Sequence, residues 1–255
     1  MRTLPTAHCR LRGSRGFTLL ELVVILAVLG ILAAAVAPSM MQQIADTRVE
    51  ATREEAEALY TAIVGTPSEG TSFGFVGDIG RLPNTFEELA APGSLPSYST
   101  GAVRNVGMGW RGPYVNIGTS ATDYLSDGFG RAYTGAATGQ VRSAGPDGIA
   151  DNADDIVYPP SAPTVTGSVT VTLKNLQGQK TVVDPVGYRV DLYYAVNGAQ
   201  ASVSAATAPF SFASVPMGPH AVRVIKTSSP GAGSTVSEDT IVVRPGGTAA
   251  VELWF

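Results

Sequence analysis

GFTLLELVVILAVLGILAAAVAP, residues 16–38, is the stretch that decides how this chain is built. From Phe17 to Ala37 its one charged member is Glu21, and its 21 positions suit a hydrocarbon core of about 30 Å. The sixteen residues before it are basic, with Arg2, Arg10, Arg12 and Arg15, a bias that holds a leader on the cytoplasmic side. Cys9, the one cysteine, lies in the same leader, so a chain starting at Phe17 has no disulfide and no thiol site. Losing four of the 17 basic residues leaves 13 against 21 acidic ones, a balance of −8.

Three readings of this segment compete. A secretory signal peptide accounts for a basic start, an apolar middle and the small residues AAAVA. Against it, Glu21 sits inside the apolar region, and Pro38 would follow the scissile bond, where its ring fits poorly. A plain membrane anchor accounts for the hydrophobicity but not for Glu21, because a mid-helix carboxylate costs about 2.5–3.5 kcal/mol to insert and marks function. The third reading is a resemblance. The string closely resembles the class III signal of type IV pilins and type II secretion pseudopilins. That resemblance implies cleavage by a prepilin peptidase between Gly16 and Phe17, N-methylation of Phe17, and an assembly role for Glu21. The physics agrees: a buried carboxylate needs a partner, and the terminal amine of a neighbouring subunit would supply one, making Glu21 a register device. Gly16 gives a peptidase close access to the backbone.

The helix is predicted to continue past the membrane to about Val64. Met40, Met41, Ile44, Leu59, Tyr60 and Ile63 recur at broadly helical spacing, with Asp46, Arg48, Glu50, Arg53, Glu54, Glu55 and Glu57 on the other faces. Pro38 lies inside this run. It is either a helix boundary or, as the family resemblance implies, a kink within the helix.

Residues 65–158 form a loop-rich head. Asn84 or Thr85 is placed to cap a short helix whose early glutamates complement its dipole. The pieces Gly109-Trp110-Arg111-Gly112-Pro113-Tyr114, Asp127-Gly128-Phe129-Gly130-Arg131-Ala132-Tyr133 and Ser143-Ala144-Gly145-Pro146-Asp147-Gly148 follow in order. Over about residues 16–158 they resemble the major pseudopilin of type II secretion, departing from its pattern where Phe129-Gly130 replaces a Pro-Trp-Gly order. Trp110 and Tyr114 are read as packing residues. Four carboxylates fall within residues 147–155, a set of hard oxygen ligands that suits calcium or else makes a solvated acidic turn. The resemblance implies calcium, held by Asp147, Asp154 and Asp155 with backbone carbonyls near Ala144 and Asn152.

Two enzyme-like strings lack their context. Gly70-Thr71-Ser72-Phe73-Gly74 fits G-x-S-x-G without a preceding strand or a following helix. Gly107-Met108-Gly109-Trp110-Arg111-Gly112 fits G-x-G-x-x-G but runs straight into Pro113. After processing one histidine, His220, remains, so Cys/His metal sites and Ser-His-Asp hydrolysis are nearly excluded and no enzyme is expected. Without a basic stripe, no nucleic acid is expected either.

Residues 159–163 read as a stiff linker. Beyond them, alternation dominates: Val169/Val171/Leu173, Val190/Leu192/Tyr194/Val196, Val222/Val224, Ile241/Val243 and Val251/Leu253/Phe255. Asn197-Gly198, Pro216-Met217-Gly218-Pro219 and Pro245-Gly246-Gly247 are turn signals. About seven short strands indicate a β-sandwich over 164–255, and residues 209–222 resemble transthyretin-like or carboxypeptidase-regulatory-like repeats. His220 is expected in an exposed turn and Phe255 in the last strand.

The fold class expected is therefore α+β: a long N-terminal helix over 17–64 with its membrane part at 17–37, a small antiparallel head, and an all-β sandwich. The function expected is a filament subunit held in a bacterial inner membrane with its head in the periplasm, processed by a prepilin peptidase and assembled on an inner-membrane platform into a homo-oligomeric fibre. A minor pilin or adhesin displaying the sandwich is the alternative.

Overall fold

The computed structural model describes residues 16–66, 72–116, 123–175, 180–181 and 186–254. The leader with His8, Cys9 and its arginines lies outside the described residues, as do Gly70, Thr71 and Phe255. The molecule has two units, one ending at Thr47 and one starting at Arg48.

The first unit is the N-terminal part of helix α1 (Leu19–Val64). The helix runs through Pro38 without a break, so Pro38 is not a helix boundary. Proline removes one hydrogen bond to the preceding turn, and a helix this long tolerates the loss. The consecutive side chains Leu22, Val23, Val24, Ile25 and Leu26 are all exposed, so every face of this part is apolar. Among the described helices α1 is long and apolar enough to cross a membrane.

In the second unit α1 becomes one-sided. Thr52, Ala56, Leu59 and Ile63 are buried at helical spacing, while Glu50, Arg53, Glu54 and Glu57 stay exposed. Gly65 ends the helix with φ +70°, where the left-handed region and a close approach to Ser72 O both exclude a Cβ. Helix α2 (Gly74–Ile79) packs Phe75, Val76 and Ile79 into the same core, with Phe86, Leu89, Tyr133 and Val141. Two small antiparallel ribbons complete the head: β1 (Ser99–Thr100) with β2 (Gly107–Met108), and β3 (Val141–Ser143) with β4 (Ile156–Tyr158). The short helix expected near Asn84 is a 3-10 turn, Phe86–Leu89. Thr85 occupies its N-cap position but makes no side-chain cap; Glu88 reaches back instead and accepts the Asn84 N–H at 3.1 Å.

The C-terminal region is a two-sheet sandwich. Its strands are β5 (Thr166–Asn175), β6 (Lys180–Thr181), β7 (Tyr188–Val196), β8 (Ala199–Ala205), β9 (Phe210–Pro216), β10 (Gly218–Lys226), β11 (Thr235–Val243) and β12 (Thr248–Trp254). One sheet runs β11-β10-β7-β8 and is antiparallel throughout. In the other, β5 is flanked by β12, which is parallel to it, and by β6 and β9, which are antiparallel. Alternate residues point inward as the period of two requires, joining Val169, Val171, Leu173, Val190, Leu192, Phe210, Phe212, Val222, Val224, Ile241, Val243 and Leu253 in one core. Asn197 and Gly198, with φ of 51° and 76°, form the tight turn between β7 and β8.

Head and sandwich belong to one compact unit. Met217, in the β9–β10 turn, is fully buried in the head's core rather than the sandwich's. Val103 and Val106 of the head bury Ala221 on the outer face of β10. The Gly198 N–H donates to Ile79 O at 2.9 Å, and Arg81 Nε to Asn197 Oδ1 at 2.8 Å. Gly80 lies so close to the Ala195 carbonyl that a Cβ would stand 1.9 Å from its oxygen. The proline-rich segment 159–163, expected as a stiff linker, lies along the head: Gln140 Nε2 donates to Pro159 O, and Pro163 packs against Gly139.

Candidate assembly segment and acidic loop

Helix α1 starts with a built cap. Thr18 Oγ1 accepts the Glu21 N–H at 3.2 Å, which satisfies one of the amides that every helix N-terminus leaves open. Thr18-Leu19-Leu20-Glu21 has the T-x-x-E spacing of a capping box, with the acid in the favourable first turn. Phe17 is 76% exposed and Glu21 is exposed. Gly16 has open space where a Cβ would sit. Gly16, Phe17 and Glu21, the residues expected to serve cleavage, methylation and assembly, thus lie together at one end of an apolar helix.

The loop at 144–155 ties itself together with its own side chains. Asp147 Oδ1 accepts from Ile149 N, Asp147 Oδ2 from Asn152 Nδ2, and Asp155 Oδ2 from Asp151 N, each at 2.8 Å. Asp154 Oδ2 accepts from Asp147 N at 3.3 Å, and the Ala144 carbonyl from Gly148 N at 3.1 Å. Arg131 donates to the Gly145 and Pro146 carbonyls, adding a cation to the loop. Among the described residues no three carboxylates form a group able to hold a metal ion. One atom is left over: Asp155 Oδ1 is buried without a hydrogen-bond partner among the described residues.

The remaining motif residues are structural ties. Asp127 is buried and accepts from Phe129 N, Arg131 N and Ser143 Oγ. The turn it shapes presses Gly128 onto α1, where Gly128 N donates to Thr52 Oγ1 at 3.0 Å. Tyr133 OH donates to Glu55 Oε2 at 2.8 Å, and burial raises its ionisation well above the ordinary phenol range. Trp110 Nε1 donates to Glu88 O, and Trp110 packs edge-on to Tyr114; both pack against the head core, as expected. Tyr114 OH donates to Asp78 Oδ2 at 2.9 Å, and Arg111 approaches the same oxygen at 3.2 Å. Burial pushes the Asp78 carboxyl up despite the opposing pull of Arg111 and Tyr114. Neither Asp78 nor Met217 stood out in the sequence.

His220 departs from expectation. It is not in an exposed turn but within β10, 1% exposed. Its place follows from strand parity, because Val222 and Val224 point inward and residue 220 must do the same.

An apolar N-terminal helix with a capped, acid-bearing start and a globular part behind it defines a pilin-like protein. Residues 11–37 match the model of the prokaryotic N-terminal methylation motif. The chain is also 31% identical to type II secretion system core protein G of Klebsiella pneumoniae over 151 residues, covering 57% of this chain and 94% of that relative. The chain belongs to the family of type II secretion system core protein G, and so among the pseudopilins.

Proposed function

We propose that this chain is a subunit of a type II secretion pseudopilus or related type IV pilus-like fibre. A prepilin peptidase cuts between Gly16 and Phe17, and Phe17 is then methylated. The subunit waits in the inner membrane with its head in the periplasm, then is assembled by an inner-membrane platform. The observation that carries this reading is the apolar start of α1, where Leu22 to Leu26 are exposed on every face and the membrane-length stretch is unburied among the described residues. In a bilayer lipid covers that surface; in a filament the same helices of neighbouring subunits cover it. Glu21 is the one charge between Phe17 and Ala37, and pairing with a neighbour's terminal amine fixes the axial stagger. Pro38 gives the helix a place to bend as the subunit leaves the membrane.

The test is to sequence the mature N-terminus and to compare filament yield with and without Glu21. The reading expects a start at Phe17 and filaments that depend on Glu21. A mature start near Ser39, or full assembly of the Glu21→Ala variant, overturns it.

The loop at 144–155 is proposed to take up calcium. Supporting this are the hard oxygen set of Asp147, Asp154 and Asp155, the nearby carbonyls of Ala144 and Asn152, and the unpaired Asp155 Oδ1. The cation would exchange the loop's internal hydrogen bonds for its own contacts and pin a segment with little apolar burial.

A further inference from the structure

The seam between head and sandwich closes around one short turn. Pro216-Met217-Gly218 carries Met217 into the head's core, and Gly218 passes so close to α2 that a Cβ on it would lie 3.1 Å from Gly77 Cα. Two residues later the buried His220 ring turns back on this turn, with Nε2 2.6 Å from the Pro216 carbonyl oxygen. A carbonyl only accepts, so the contact places the neutral ring's proton on Nε2. Nδ1 is buried and has no hydrogen-bond partner among the described residues. The ring stands edge-on to Tyr194 of β7, the ionisable side chain that faces it. From β9 and β11 it meets Pro216 and, across the ladder, Ile241.

We propose that the Pro216-Met217-Gly218 turn is a latch fastening the sandwich to the head, and that His220 is its proton-sensitive catch. With one proton the ring braces the turn and leaves a bare lone pair facing a dry wall. A second proton puts a charged N–H at Nδ1 where nothing accepts it, and that arrangement is relieved only by letting water in. The seam is the natural place for this. The head core and the sandwich core are separate clusters, so the turn can withdraw while each sheet keeps its own interior. Besides the burial of Ala221 by Val103 and Val106, the polar ties across the seam are individually small, among them the Gly198–Ile79 and Arg81–Asn197 hydrogen bonds and the Arg104–Asp239 pair at 3.8 Å.

Burial lowers the His220 pKa from 6.5 to about 4. The sign follows: between those values the open form binds the proton and the latched form does not, so latching weakens as pH falls through that window. Going from pH 7 to pH 4.5 should raise the open-to-closed ratio about 50-fold.

The experiment uses the full mature chain in detergent micelles. His220 is then the one imidazole, so its titration is read by NMR without ambiguity. Hydrogen exchange, corrected for intrinsic rate, is followed at Gly198, whose amide crosses the seam, and at Leu192 inside β7. The expected result is a ring titrating well below 6, with protection lost at Gly198 and retained at Leu192 by pH 4.5. In His220→Gln, which keeps a donor for Pro216 but cannot gain a proton, Gly198 protection should not change with pH. A ring titrating near 6.5, Gly198 and Leu192 losing protection together, or an unchanged acid response in the variant overturns the proposal. If the variant does not fold, the wild-type titration and the two amides decide alone.

Discussion

The two parts of α1 share a secondary structure and differ in everything else. Before Thr47 the helix wears its apolar side chains outside, on all faces; after Arg48 it gathers them into one stripe, Thr52-Ala56-Leu59-Ile63, under the head. A one-sided stripe is satisfied within the chain. An all-round apolar surface is not, and it implies that lipid or sister subunits complete it. One continuous helix thus joins a part whose apolar stripe is buried within its own unit to a part whose apolar side chains are left exposed.

Substitutions in the two parts should therefore fail in different assays. Glu21→Ala should leave cleavage, insertion and head stability intact while lowering filament yield by about tenfold for each 1.4 kcal/mol of lost pairing; electron microscopy of sheared filaments checks it, and an effect on head stability would blur the distinction. Leu59→Ala opens a cavity in the head and should cost about 2–5 kcal/mol by denaturant unfolding, with membrane insertion unchanged. Gly128→Ala should cost about 1–3 kcal/mol, because the new Cβ would stand 2.7 Å from the Arg48 carbonyl oxygen; a neutral result would show that the Asp127 turn is free to move off α1. Thr18→Ala removes the cap and should weaken the first turn by about 1 kcal/mol, seen as faster amide exchange at Glu21. Chelation of calcium should lower the melting temperature of the head by a few degrees, and no shift would leave the loop at 144–155 a self-tied acidic turn.

The sequence was most readable where one physical rule acts alone. Lipid-length hydrophobicity marked α1, and a period of two marked the sandwich strands, down to the Asn197-Gly198 turn. The head was readable as motifs but not as contacts, because Asp127, Tyr133 and Trp110 act through partners 16 to 81 residues away. The seam was not readable at all. Met217 lies in a turn, where burial is not the rule, and its pocket is built from α1, α2 and the segment after Tyr133. His220 was within reach: counting two back from Val222 gives its face, although the Pro216-Met217-Gly218-Pro219 turn signal beside it points to exposure. The acidic loop remained double-valued for a physical reason, since the same carboxylates that would bind a cation also accept their own backbone amides.

The burial of Met217 also has a mechanical meaning. A module on a slack tether yields when pulled, and the tether takes up the strain. Here the sandwich grips the same packed core that holds Leu59 and Ile63 of α1. A load on the sandwich therefore reaches Leu59 and Ile63 as displacement rather than being lost in slack.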